Sequence, residues 1–166
     1  STTGTYTLTV TENGCSSSDD IDVIVNPLPT VDLGADVAIC ILTSTTIGVP
    51  NIAGQTYAWN SGETTNQIPV SASGTYSLTV SENGCSSSDD INVIVKPWPP
   101  ADLGADVAIC NVTSTTIGVA NLAGQTYAWN SGDTTNQITV STADTYTLTV
   151  TENGCSSSDD INLIVN

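Results

Sequence analysis

Gly4, Gly74 and Asp144 open the same run of residues at a spacing of 70, and this internal repeat constrains the chain more than any other feature it carries. Residues 27–96 and 97–166 differ at 16 of 70 positions, whereas residues 1–26 match only the closing stretch of a repeat, 71–96. A chain written this way folds as an array of like modules, each a small supersecondary unit. Three segments are expected: the C-terminal part of a truncated repeat over 1–26, and two complete repeats over 27–96 and 97–166, each opened by a proline-rich linker. A half repeat cannot close a core by itself, so the stretch 1–26 reads most simply as a window cut from a longer polymer.

Within one repeat the apolar residues alternate. Tyr76, Leu78 and Val80 interleave with Ser77, Thr79 and Ser81, the period of a strand with one buried and one wet face. Asn83-Gly84 supplies the positive-φ pair of a tight hairpin, after which Ile91, Val93 and Val95 resume the alternation. Thr46–Val49, Thr56–Trp59 and the pair Ile68 and Val70 read as further short strands separated by turn residues, with Cys40 ahead of the first strong one. No segment has helical periodicity. The pattern predicts an all-β sandwich with Trp59 and Trp129 in the cores of their repeats, while Pro27-Leu28-Pro29 and Pro97-Trp98-Pro99-Pro100 form stiff joints. Trp98 is expected to cap the seam at its joint; exposed, it would offer an aromatic platform for sugar or a partner.

The cysteines follow the same period. Cys15, Cys85 and Cys155 share one repeat position, and Cys40 and Cys110 another. A module that recurs should carry its own staple, which predicts the pairs Cys40–Cys85 and Cys110–Cys155, with Cys15 bonded to a partner outside the window; the competing framework joins Cys15 to Cys40. A bridge spanning 45 residues adds about 4 kcal/mol by loop entropy, a large share of a small domain's stability. Stable bridges imply an oxidising, extracellular setting.

Composition removes several classes of function. With a net charge of −16 and Lys96 as the one basic residue, the chain has no means of neutralising phosphates, which excludes nucleic acid. No run of about twenty apolar residues is present, so this segment is not expected to span a membrane. Histidine is absent and the one lysine lies in the linker of only one repeat, so no Ser-His-Asp or Ser-Lys system can be assembled, and the chain is not expected to be an enzyme. The cysteine spacing lacks paired CxxC motifs and argues against zinc.

The succession Asp32-Leu33-Gly34-Ala35-Asp36 then Cys40, Tyr57-Ala58-Trp59-Asn60-Ser61-Gly62-Glu63-Thr64-Thr65, Gly74-Thr75-Tyr76 and Asn83-Gly84-Cys85 resembles the immunoglobulin-like or PKD-like tandem repeats of secreted and cell-surface proteins of Bacteroidota. The resemblance implies Greek-key sandwich modules, export to the surface and a mainly architectural role. It departs from antibody domains, because Tyr76 precedes Cys85 by nine positions rather than two, and their disulfide geometry does not carry over.

Two kinds of surface chemistry are expected. Asp32, Asp36, Asp89 and Asp90 should meet near one joint, and Asp102, Asp106, Asp159 and Asp160 near the next; oxygen ligands at that density suit calcium, against the plainer reading of a solvated acidic surface. Alternating threonines and serines, such as Thr147, Thr149 and Thr151, should form outward rows of hydroxyls. Asn111-Val112-Thr113 is an N-glycosylation pattern, and Thr134 lies in an O-glycan context of the Bacteroidota kind, so covalent glycans are expected. The sequence as a whole reads as part of an extracellular filament, fibril or surface stalk whose partners are neighbouring repeats or chains. The alternatives are an adhesin or carbohydrate-binding array that meets a glycan or host-surface ligand, and an accessory spacer of a large secreted enzyme.

Overall fold

The computed structural model describes residues 2–110 and 113–166. Alternation and the Asn-Gly turns produce three equivalent hairpins. The first joins β1 (Gly4–Glu12) to β2 (Cys15–Val23). The repeat 27–96 contributes β3 (Val37–Cys40), β4 (Thr45–Gly48), β5 (Thr56–Trp59), β6 (Gln67–Val70) and the hairpin β7 (Gly74–Glu82) with β8 (Cys85–Lys96). The repeat 97–166 contributes β9 (Val107–Ile109), β10 (Thr115–Gly118), β11 (Gln125–Trp129), β12 (Gln137–Val140) and the hairpin β13 (Asp144–Glu152) with β14 (Cys155–Val165). Asn13, Asn83 and Asn153 have φ of 48°, 50° and 52°, and each precedes a glycine of positive φ, the backbone of a two-residue hairpin turn.

Each complete repeat forms a four-stranded and a two-stranded sheet. The strand orders are β3-β8-β7-β5 with β4-β6, and β9-β14-β13-β11 with β10-β12. In the second repeat, Ile117 and Val140 of the small sheet close a core with Tyr127, Trp129, Tyr146, Leu148, Val150, Ile161 and Leu163 of the large one. This is the sandwich that alternation predicts. Trp59 and Trp129 are buried as expected, and each indole N–H is satisfied by a carbonyl across the following turn, Thr65 and Thr135 respectively, at 2.8 Å.

One strand is not legible in the alternation. Cys40 does not precede the first strand of its repeat but ends it: β3 runs parallel to β8, with Val37 opposite Val93 and Cys40 opposite Lys96. The second repeat repeats the arrangement, with Val107 opposite Leu163 on β14. Upstream of β3 the chain already follows the closing strand: Asn26 donates to the Asn83 carbonyl at 3.0 Å, and the Leu33 N–H donates to Asp89 at 2.8 Å. The segment 26–40 therefore travels beside residues 83–96 from the hairpin turn toward the opposite end of the strand.

By contact density the chain divides into two compact units, one of Ser1–Gly34, Ile47–Ile68 and Tyr76–Ile91, the other of Ala35–Thr46, Pro69–Thr75 and Asn92–Asn166. The second holds the whole repeat 97–166 together with β3. In the first, the β1-β2 hairpin keeps the register of β13-β14, from Gly4 opposite Val23 to Glu12 opposite Cys15, yet forms a sheet of two strands. Tyr6, Leu8, Val10 and Ile21 are 50 %, 69 %, 59 % and 65 % exposed, where Tyr146, Leu148, Val150 and Ile161 are 9 %, 0 %, 0 % and 3 % exposed. Among the described residues no helix is long and apolar enough to cross a membrane.

Candidate functional site

The chemically distinctive site is a disulfide built from one strand end and one hairpin turn. The Asn153-Gly154 turn places Cys155 at the start of β14, where it is buried, and parallel pairing places Cys40 at the end of β3. The two are bonded with a Cα–Cα distance of 5.6 Å across a sequence separation of 115. The bridge ties the repeat 27–96 to the closing hairpin of the repeat 97–166.

This corrects the expected pairing. Cys40 is not joined to Cys85, Cys110 is not joined to Cys155, and Cys15 is not joined to Cys40; Cys15, Cys85 and Cys110 are free thiols. The reason is geometric. Cys85 begins the 12-residue β8 and Cys40 lies opposite its last residue, so the two are separated by nearly the full strand, about 36 Å at ~3.3 Å per residue. A disulfide tolerates a Cα separation of at most about 7 Å. A staple within one repeat would need the strand to reverse, whereas the turn of the following repeat presents its cysteine at the correct end. Cys15 and Cys110 are exposed, and Cys85 is partly buried with its Sγ 3.8 Å from the Asn26 carbonyl, to which the thiol donates.

The carboxylates are distributed differently from the expected calcium cluster. Asp32 caps the Gly34 N–H, Asp89 accepts from the Leu33 N–H, and Asp36 accepts from the backbone and side-chain N–H groups of Asn92. The second repeat repeats each contact: Asp102 with Gly104, Asp159 with Leu103 and Asp106 with Asn162. Asp36 and Asp89, with Asp106 and Asp159, are fasteners that hold the inbound segment to the closing strand, while Asp32 and Asp102 close local turns within it. Asp90 and Asp160 lie on the outer face of β8 and β14. Among the described residues no group of three or more His, Cys, Asp or Glu side chains is arranged to hold a metal ion. Sequence reasoning missed Asn92 and Asn162, whose signal is an Asp and an Asn recurring 56 residues apart in both repeats.

The hydroxyl rows form as cross-strand pairs: Thr79 with Ser88 at 2.9 Å, Thr149 with Ser158 at 2.8 Å and Thr151 with Ser156 at 2.8 Å. In the complete repeats the threonines of these pairs are half-buried and the serines exposed, while Thr7, Thr9 and Thr11 are all exposed. Thr134 is exposed at the rim of an open depression of about 570 Å³ that also includes Asn121, Gln125, Tyr127 and Asn136. An equivalent depression of about 610 Å³ lies over Tyr57 in the first complete repeat. Tyr57 and Tyr127 accept there from the N–H of Ile52 and Leu122. Asn111 lies outside the described residues. Trp98 is not covered at its joint but 48 % exposed. Glu63 is fully exposed, and the Ser61 hydroxyl, with its own backbone N–H second, holds its carboxyl below the usual carboxylate value.

The sequence matches no family model and no curated protein. Among solved structures it is similar to extracellular domains 3–5 of Drosophila OTK, with a TM-score of 0.50 at 8 % identity over 99 % of this chain and 71 % of that one. It also aligns with a mutated variant of titin domains I67–I69, with a TM-score of 0.46 at 14 % identity over 82 % of this chain, and spans 65 % of that fragment. The likeness to OTK shows a tandem immunoglobulin-like fold and nothing finer.

Proposed function

We propose that the chain is a structural segment of an extracellular filament, fibril or surface stalk, assembled from immunoglobulin-like modules of the PKD-like kind found in Bacteroidota, with neighbouring repeats as its partners. The observation that carries this reading is the bridge between Cys40 and Cys155, which crosses from one repeat to the next instead of closing a repeat on itself. A bond in that place serves continuity along the chain. Tension applied at the termini passes through the disulfide, so residues 41–154 are shielded from extension. A regular surface with a single basic side chain, Lys96, suits repetition better than recognition of a single ligand.

Electron microscopy of the native assembly tests the proposal. Ordered filaments in which consecutive repeats trace as one polypeptide are the expected result; dispersed single chains would overturn it. A second reading, a carbohydrate-binding array, is favoured by the matching depressions over Tyr57 and Tyr127, each lined by asparagine, glutamine and threonine. It requires saturable binding of soluble oligosaccharides that is lost in Tyr57→Ala and Tyr127→Ala.

A further inference from the structure

We propose that the apolar face of the β1-β2 hairpin is a docking surface for the leading half of a further repeat, a segment of the kind seen at residues 27–70, and that the cysteine ending that segment's first strand bonds to Cys85. The surface is defined by comparison within the chain. Three hairpins share one sequence pattern, the first and third share one register, and two of the three are covered by leading-half strands of their own repeats. On the remaining one, β1-β2, Tyr6, Leu8, Val10 and Ile21 remain at least half exposed, although the residues in their places at β13 and β14 are all buried, Leu148 and Val150 completely. Uncovered apolar groups in one row have a strong drive to leave water, about 25 cal/mol for each Å² covered.

The thiol is a second, separate observation. In the completed bridge Cys155 meets Cys40, and Cys40 lies opposite Lys96 in the parallel pair. Asn26 occupies the repeat position of Lys96, 70 residues earlier, and the Cys85 sulfur already rests 3.8 Å from the Asn26 carbonyl. A strand laid parallel to the end of the first hairpin, in the register of β3 on β8, would deliver its terminal cysteine to that sulfur. Cys85 is thus one half of the staple that Cys155 displays complete. A second copy of this chain is a poor occupant, because its own leading-half strands already pair with its own hairpins and would have to abandon them.

The bond forms by thiol–disulfide exchange with a small oxidised disulfide such as glutathione disulfide: two protein thiols become one protein disulfide, and the oxidant is reduced to two small thiols that carry the protons. One feature tunes the fit. Asp22 stands where Asn92 and Asn162 receive an aspartate, and it lacks their donating amide. The covering segment should therefore carry a hydrogen-bond donor in the place of Asp36.

The test adds a copy of residues 27–70, with Asp36→Asn in the added copy, directly ahead of Ser1 of the full chain, and refolds both chains in a glutathione redox buffer. The 166-residue chain has three free thiols, Cys15, Cys85 and Cys110. The extended chain is expected to have two despite its extra cysteine. Introducing Cys85→Ser into it should raise the number to three, and Cys15→Ser should lower it to one. Amide exchange at Leu8, Val10 and Ile21 is expected to slow at least tenfold on extension, a readout independent of the bond. Bonding of the added cysteine to Cys15, or unchanged exchange, would overturn the proposal. So would a stable dimer of the 166-residue chain that already protects those amides, since it would show a second copy as the occupant.

Discussion

Asp36 receives three hydrogen bonds from a single residue, Asn92: its carboxylate accepts the backbone N–H at 2.9 Å and the side-chain amide at 3.3 and 3.2 Å. Asp106 and Asn162 repeat the arrangement in the next module. The pair stands immediately before β3 and β9, so it sets where the short parallel strand begins. Because both members are solvent-accessible, Asp106→Ala is expected to lower unfolding free energy by about 1 kcal/mol, below the range for buried charged hydrogen bonds. Urea denaturation with a tryptophan signal measures this, and Asp160→Ala, on the outer face of β14, should leave the midpoint unchanged within error.

Breaking the bridge should cost far more. The chain-entropy relation gives about 5 kcal/mol for a loop closed across 115 residues, so Cys155→Ser should shift the denaturation midpoint strongly, whereas Cys110→Ser should be neutral. Alkylation of the denatured, unreduced chain should add three labels, and reduction should raise the number to five.

Mechanical extension provides a separate readout. Pulled from its ends, the oxidised chain should stop short of the reduced chain by about 400 Å, the contour of the 114 residues enclosed by the bridge at ~3.5 Å each. Single-molecule force spectroscopy with and without reductant compares the two lengths directly.

Gly118 has a φ of 138°, and a Cβ there would meet the Asn136 carbonyl oxygen at 2.2 Å. Gly118→Ala combines backbone strain with a clash against main chain that cannot rotate away, and is expected to cost about 3 kcal/mol or more. Gly124 shares the left-handed backbone, with a φ of 87°, but has open space around it. Gly124→Ala should lose about 1 kcal/mol, and thermal unfolding of the two variants separates crowding from conformation.

Glu63 offers a test by pH. Its folded pKa is depressed, so its contribution to stability is present above the unfolded value and disappears as pH falls through the folded one. NMR titration should place its midpoint below that of an unstructured glutamate, and Ser61→Ala should move the midpoint upward.

The hairpins were legible because both their signals are local: alternation marks the faces and Asn-Gly marks the turn. Trp59 was legible as core for the same reason. β3 was not, because Val37–Cys40 is a four-residue strand whose pairing is parallel and whose partner lies 56 residues away. That one omission explains the wrong disulfides. With Cys40 left in a loop, the nearest cysteine within its own repeat is the natural partner; with Cys40 at the far end of β8, that partner is out of reach. It also explains the aspartates. Asp36 and Asp89 are separated by a parallel run of chain that gives each its own backbone N–H group, and residue type alone cannot distinguish such a fastener from a metal ligand.

The bridge has one further consequence, for survival in a proteolytic environment. A cut at any peptide bond between Cys40 and Cys155 opens a loop and leaves both fragments attached. The enclosed span of 115 exceeds the repeat of 70, so in an array that continues the same pattern successive loops overlap and every peptide bond lies inside at least one of them. A single cut severs such a strand only when it is joined by reduction, which makes its durability depend on the redox state of its surroundings as well as on the resistance of its backbone.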